Sequence, residues 1–392
     1  MVSEVAAQRE QRVSPLELFF DLVFAFAFTQ VTTLWLEQPS WGGLGRGLLV
    51  VGVLWWAWAS FAWLTNVADA EAGVVTAATL FATAALFIAA LAVPDAFGSE
   101  RLVFGIAFFS VVAAFVALYA VVSKDVPERL AAVLRMAPVV LCGAGLVLAA
   151  AFVPTGMRPW LWAIGFVVGF FGPQLAGLSG WSVEPSHFAE RHGLIVIIAV
   201  GESLAAIGFG ARTSGLGLGV VTGAVLGLIV SVSFWLAYFD FAATGVRRLL
   251  DGRLGVQRIA FARDAYTYAH LPMVAGILLF AFGMRTTLTH VHDDLHLVPA
   301  VALCCGGAIY LLAFVALRWR ADRRLGRGRP IAATVLVLLT PLATSIPALG
   351  AVALVASVWV GLHAYELIAW REQRARRRSA DDLAREAAES QA

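Results

Sequence analysis

Residues 14–30 read SPLELFFDLVFAFAFTQ, an almost wholly apolar stretch that carries Glu17 and Asp21 one helical turn apart. The uncharged run from Leu22 to Leu36 measures about 22 Å as a helix, whereas a bilayer core measures roughly 30 Å. A helix that spans a membrane here must therefore draw Asp21 into the apolar region. Placing a carboxylate at such depth costs free energy, so its presence there indicates a functional role.

The composition is that of an integral membrane protein. The chain has 392 residues, of which 60% are hydrophobic and only 14% are charged, and its mean hydropathy is +0.82. Soluble domains carry nearer a quarter charged residues. The apolar runs are too long and too many for core helices, and no cleavable signal peptide is evident. We therefore predict an all-α integral membrane protein.

The apolar runs predict about 12 transmembrane helices. They lie near 15–36, 44–65, 73–93, 102–123, 130–153, 159–178, 189–210, 216–241, 264–285, 297–318, 330–347 and 349–370. The last two are separated only by residues 347–350, so a tight hairpin and a single broken helix both stay open. With the N-terminus in the cytoplasm, the outer side keeps only Arg46, Arg101, Arg158, Arg212 and Arg285 of the 28 basic residues. The positive-inside rule therefore favours 12 spans with both termini cytoplasmic.

Three segments follow from this pattern: an N-terminal cytoplasmic segment (1–13), a membrane domain (14–370) and a basic, charged tail (371–392). The tail is expected to lean on anionic lipid headgroups. Spans one and seven both carry carboxylates, and spans two and eight both end in aromatic runs. This similarity suggests a 6+6 parallel pseudo-repeat, with halves at 14–180 and 186–370.

Glu202 is the least avoidable charge inside the membrane, because nine uncharged residues precede it and nine follow it. Arg191 lies eleven positions earlier on the same helix face, about 16 Å away along the helix. The two side chains cannot pair directly, but both can line one side of a cavity. The alternative is that Glu202 is simply protonated or bonded to a neighbouring helix.

Glu17 has two interpretations. Ser14 and Pro15 before it read as the start of a capping box, in which Glu17 reaches back to a free amide; it also fits a polar site. Asp21 lies a turn too deep to cap anything and is the sharper candidate.

His270 lies inside the ninth span, next to Pro272, which invites a kink. The residue is either a helix-contact histidine or part of a proton relay. Asp264 is expected to cap this span. With the predicted topology, these polar residues crowd toward the cytoplasm and suggest a vestibule that ends near Glu202.

No metal or cofactor is expected. His290, His292 and His296 are weak metal candidates, since nothing indicates the fixed geometry that a site needs. The sequence contains no nucleotide motif, nucleophile elbow or HExxH pattern, and no nucleic-acid partner is expected. The oligomeric state stays open.

Four stretches together resemble the bacterial low temperature requirement protein A family: SPLELFFDLVFAFAFTQ, AVPDAFG (92–98), RHGLIVIIAVGESLAAIG (191–208) and YAHLPMVAGILLFAFG (268–283). The resemblance covers nearly the whole chain except the two tails. It implies a multi-pass protein of the bacterial inner membrane that is named for a growth phenotype at low temperature.

The leading hypothesis is a secondary transporter or permeation protein for an ion or small solute. Asp21 and Glu202 would bind the coupling proton or cation, with Arg191, His270 and Glu17 around them. A membrane enzyme acting on lipid or an isoprenoid carrier is the first alternative, although an enzyme is the less favoured reading. A non-catalytic scaffold or sensor is the second.

Overall fold

The computed structural model describes residues 13–68, 72–172, 174, 177–240, 244–323 and 325–389, and side chains up to Ala369. Within these ranges the chain forms helices and no strand. The fourteen α-helices in the described ranges are α1 (Pro15–Glu37), α2 (Trp41–Thr65), α3 (Gly73–Ala92), α4 (Arg101–Val122), α5 (Pro127–Ala149), α6 (Arg158–Phe171), α7 (Pro185–Ser214), α8 (Leu218–Tyr238), α9 (Thr244–Asp251), α10 (Gly255–Ala262), α11 (Ala269–Thr289), α12 (Leu297–Asp322), α13 (Gly328–Ala343) and α14 (Ala348–Glu389). The prediction of an all-helical protein is confirmed.

Ten of the described helical runs are long and apolar enough to cross a membrane. Two shorter apolar helices, α6 and α13, occupy the positions of the sixth and eleventh predicted spans. Both end earlier than predicted, α6 at Phe171 and α13 at Ala343. The last two predicted spans are separate helices, because the chain turns between Ala343 and Ala348.

The ninth span begins earlier than its sequence predicts. Helices α10 and α11 are joined by a π-helical segment, Arg263–Tyr268, so the helical run extends from Gly255 to Thr289. Asp264 therefore lies inside this run and caps nothing. Its carboxylate instead accepts hydrogen bonds from Arg263 and Arg320, each at 2.7 Å.

Two groups of helices have the same order of contacts. In the group α1–α6, α3 packs against α1 and α4, α5 packs against α4 and α6, and α2 packs against α1 and α6. In the group formed by α7, α8 and α11–α14, α11 packs against α7 and α12, α13 packs against α12 and α14, and α8 packs against α7 and α14. Contacts of α1 with α7 and α11 join the two groups. Helices α1 and α7 begin at the same end of the bundle, which we call the α1-start end.

The termini are described only in part. Of the predicted N-terminal segment, residues 1–12 lie outside the described residues. The backbone of α14 continues as a helix through the predicted tail to Glu389. Residues 390–392, and the side chains of the tail, lie outside the description.

Candidate functional site

Arg191 on α7 joins the two carboxylates of α1. Its Nη1 donates to Glu17 Oε1 at 2.6 Å, and its Nη2 donates to Asp21 Oδ1 at 2.6 Å. The spacing of four residues places both carboxylates on one face of α1, where a planar guanidinium can engage them together. All three side chains are buried, with exposed fractions of 3% for Glu17, 1% for Asp21 and 0% for Arg191. We call these three residues the ion network.

Helix α2 holds the ion network from a third side. Trp58 Nε1 donates to Asp21 Oδ1 at 2.8 Å, and Arg191 Nη1 also donates to Thr65 Oγ1 at 3.0 Å. The indole ring of Trp58 lies 5.8 Å from the guanidinium carbon of Arg191. These contacts fix the orientation of the guanidinium, because hydrogen bonds to charged groups are stronger than neutral ones.

Glu17 is both a capping residue and a member of the ion network. Its Oε2 accepts from the Ser14 backbone N–H at 2.9 Å, and Ser14 Oγ accepts from the Glu17 N–H at 3.3 Å. The predicted capping box is therefore present. At the same time Oε1 accepts from Arg191, so the two interpretations of Glu17 are not exclusive.

His187 adds a further donor to Glu17. Its Nε2 lies 3.1 Å from both carboxylate oxygens. Asn66 Oδ1 accepts from the Glu184 backbone N–H at 2.6 Å, so the Asn66 Nδ2 amide faces His187 Nδ1 at 3.1 Å. Because that amide can only donate, Nδ1 accepts and the proton of His187 sits on Nε2. His187 is thus neutral in this arrangement.

The ion network is unbalanced in charge and in hydrogen bonds. Glu17 and Asp21 carry two carboxylates, Arg191 carries one guanidinium, and His187 is neutral. Asp21 Oδ2 and Arg191 Nε have no hydrogen-bond partner among the described residues. A buried polar atom without a partner costs free energy, so Asp21 Oδ2 is the position in the network that is open to a further proton.

Glu202 lies on the same helix as Arg191 but binds separately. Thr29 Oγ1 donates to Glu202 Oε2, and Thr32 Oγ1 donates to Glu202 Oε1 at 2.7 Å. Both threonines belong to α1, further along than Asp21. Since the early parts of α1 and α7 meet at Arg191 and the later parts meet at Glu202, the two helices run parallel. Glu202 is 4% exposed.

His270 is held on both ring nitrogens. Nδ1 lies 3.0 Å from the Ala265 carbonyl and must donate to it, so Nε2 accepts from Tyr238 Oη at 2.8 Å. Pro272 has no N–H to give to the turn before it. The indole of Trp55 donates to the Thr267 carbonyl at 2.8 Å.

His192 connects the ion network to His270 through ring contacts. Its ring centroid lies 4.8 Å from Trp58 and 5.1 Å from His270. Nδ1 donates to the Phe188 carbonyl at 2.8 Å, while Nε2 has no partner among the described residues. His192 is fully buried, and it was missed by the sequence interpretation.

The side chains of His290, His292 and His296 do not converge on a metal site. The described residues hold no group of three or more His, Cys, Asp or Glu side chains that could bind a metal ion. His290 Nδ1 lies 3.0 Å from Thr289 Oγ1, and a Cβ at Gly219 would lie 3.2 Å from His292.

Of the predicted site residues, Glu17, Asp21 and Arg191 come together, while Glu202 and His270 lie apart from them. Where an open vestibule was expected, these five side chains are closed off, since none is more than 4% exposed. Three kinds of partner were not predicted from the sequence: His187, the α2 donors Trp58 and Thr65, and the Thr29 and Thr32 hydroxyls around Glu202. His187 lies four residues before Arg191, and that spacing was the available signal.

Two comparisons with known proteins found a match. A family model described as "Bacterial low temperature requirement A protein (LtrA)" matches residues 12–364. An uncharacterized protein of Rhizobium meliloti (strain 1021) is 30% identical over 297 residues, which cover 71% of this chain and 70% of the relative. No solved structure matches the chain.

Proposed function

Because the chain belongs to the bacterial low temperature requirement A family, we propose that this membrane protein of many apolar helices is a secondary transporter or permeation protein for an ion or small solute. One observation carries the proposal. A buried, charge-unbalanced ion network joins α1 of the first half to α7 of the second half. Transporters built from two repeats bind substrate and coupling ion where the repeats meet.

The ion network is suited to sense a proton. With His187 neutral, two ionised carboxylates and one guanidinium leave one uncompensated negative charge. A buried uncompensated charge costs several kcal/mol. One additional proton makes the network neutral, and Asp21 is its proposed acceptor because Oδ2 has no partner among the described residues.

Protonation of Asp21 would weaken the attachment of α7 to α1. A neutral carboxyl group attracts a guanidinium less than a carboxylate does. Glu17 would then hold Arg191 alone on α1. A rocking motion of the two halves needs such a contact to loosen and re-form during each cycle. We therefore assign Asp21 to proton coupling and Arg191 to the contact that responds.

Glu202 is the proposed second binding position for the ion. It lies eleven residues beyond Arg191 on α7, about 16 Å along the helix. Its two threonine donors, Thr29 and Thr32, also belong to α1. The ion would thus remain between α1 and α7 as it moves from the ion network to Glu202. His270 lies outside this path.

The architecture that we propose has twelve spans, a 6+6 parallel repeat and both termini in the cytoplasm. The matching order of helix contacts in the two halves supports the repeat. The parallel course of α1 and α7 supports six crossings from α1 to α6, since a first half with five would turn α7 around. The distribution of basic residues supports the cytoplasmic placement in a bacterial inner membrane.

The test is pH-driven flux in liposomes that contain the full chain. Asp21→Asn and Glu202→Gln are compared with two matched controls, Asp125→Asn and Glu37→Gln, whose carboxylates are exposed. We expect flux to fall in the first pair and to stay near wild type in the controls. The proposal is wrong if both site variants fold and transport like the wild type.

A non-catalytic scaffold is the second candidate, and one observation favours it. Both carboxylate oxygens of Glu202 are already filled by threonine hydroxyls, as expected for a group that only links helices. For a scaffold, Asp21→Asn and Glu202→Gln lower thermal stability and leave proton permeability equal to that of protein-free liposomes in wild type and variants alike.

A further inference from the structure

A pocket separate from the ion network lies at the α1-start end of the bundle. It is bounded by α2, α4, α5 and α6 and by the π-helical segment, and Trp181, shortly before α7, closes one side. Counting its open mouth, the pocket holds about 690 Å³ of empty space. The centre of a water-sized sphere can move within about 100 Å³ of this space, which limits the occupant to a small molecule. The members of the ion network and Glu202 do not line it.

Seven of the 17 residues that line this pocket are aromatic. Trp56 and Trp63 extend from α2, and Tyr119 packs against Trp181 with ring centroids 5.4 Å apart. Tyr268 forms the wall on the side of the π-helical segment. Aromatic rings pack well against other flat rings at such distances, so the walls favour a flat, unsaturated occupant over a flexible one.

Tyr119 supplies an unused hydrogen-bond donor. Its side chain is fully buried, it lines the pocket, and its hydroxyl has no partner among the described residues. Leaving a buried hydroxyl unpaired costs about 1–3 kcal/mol. An occupant with an oxygen atom at this position would remove that cost.

The charge at the pocket is positive. Arg263 lines it, and Arg263 and Arg320 share the single carboxylate of Asp264. Two guanidinium groups and one carboxylate leave one net positive charge in this described cluster. A positive cluster beside an apolar pocket attracts anions and repels cations.

We propose that the pocket binds an amphipathic monoanion with a flat, unsaturated body. Its acidic group lies at Arg263, its rings lie between the aromatic walls, and an oxygen atom at the far end accepts from Tyr119. The proposal concerns binding alone and does not depend on the transport function proposed above.

The test is equilibrium binding to the full chain in lipid nanodiscs, with probes that share one ring system. We expect 2-naphthoate to bind at least tenfold more tightly than uncharged 2-naphthalenemethanol or cationic 2-naphthylmethylamine. Decanoate, an anion without rings, should bind at least fivefold more weakly than 2-naphthoate. Equal affinity for the three naphthalene probes, or tighter binding of decanoate, overturns the proposal on the wild-type protein alone.

Two variants locate the probe. Arg263→Gln should lower the affinity for 2-naphthoate about tenfold and leave 2-naphthalenemethanol unchanged. The nearly isosteric Tyr119→Phe should abolish an about fivefold preference for 6-hydroxy-2-naphthoate over 2-naphthoate. Arg212→Gln and Tyr365→Phe, both at exposed positions, serve as controls and should bind like the wild type. If Arg263→Gln keeps the preference for the anionic probe and Tyr119→Phe keeps the preference for the hydroxylated probe, the probe binds elsewhere and the proposed site is wrong.

Discussion

Replacing Arg191 by Met should be among the most destabilising single changes in the chain. The substitution keeps the length and apolar stem of the side chain but removes the charge that Glu17 and Asp21 share. Three hydrogen bonds are lost, two of 2.6 Å to the carboxylates and one of 3.0 Å to Thr65. All these groups are at least 96% buried, so water does not replace the lost donors.

The magnitude follows from that burial. Removing one partner of a buried ion pair typically costs about 3–5 kcal/mol, because the remaining charge is left without compensation. Here two carboxylates lose the same partner, which sets the expected loss in free energy of unfolding near the upper end, about 5 kcal/mol. An exposed arginine on the same helix, Arg212, is the matched control, and its replacement by Met should change stability by less than about 0.5 kcal/mol.

The assay is the free energy of unfolding in bicelles, measured by steric trapping. A triple variant, Glu17→Gln with Asp21→Asn and Arg191→Met, removes the stranded charges and should regain at least half of the loss. If Arg191→Met costs less than about 1 kcal/mol, or if the triple variant is no more stable than the single one, Arg191 does not compensate the charges of Glu17 and Asp21.

Two further predictions concern helix packing. Gly276→Ala should lower the free energy of unfolding by about 1–3 kcal/mol, because the added Cβ would lie 2.5 Å from a carbonyl oxygen of α12. Gly145→Ala is the control, since the space around its Cβ is open, and it should leave stability unchanged or slightly raised. Equal losses of stability in the two variants would contradict the close contact at Gly276. Trp55→Phe should lower the free energy of unfolding by about 1–3 kcal/mol, because it removes the buried indole donor of the Thr267 carbonyl; an unchanged free energy of unfolding would contradict a contribution from this bond.

The local features of the chain were predictable because they depend on neighbours in sequence. The capping box at Ser14 depends on a residue only three positions away, and the apolar runs are recognised from composition alone. Helix ends were less predictable, and one such error had a consequence for the site. The seventh span was predicted from residue 189, but α7 begins at Pro185, so His187 fell outside the span and was not weighed.

The partners of the charged residues were not predictable from local patterns. Arg191 lies 174 positions from Glu17 and 170 from Asp21, so their contact exists only once α1 and α7 pack side by side. The same packing supplies Thr29 and Thr32 to Glu202. The sequence showed that these charges needed partners, because unpaired charges are not stable in an apolar interior. It could not show that Glu17, Asp21 and Arg191 would contact one another in a buried network instead of lining an open vestibule.

Glu17 takes part in both the capping box and the ion pair at the start of α1. One of its oxygens fixes the first turn of α1 through Ser14, and the other holds Arg191. The start of α1 is therefore tied directly to the guanidinium of α7, and Asp21 follows four residues later on the same face. Any change that loosens Arg191 from Asp21 leaves the connection through Glu17 in place. We therefore propose different roles for the two carboxylates. Glu17 keeps α1 and α7 joined, while Asp21, whose Oδ2 has no partner among the described residues, takes up the proton that weakens the second contact with Arg191.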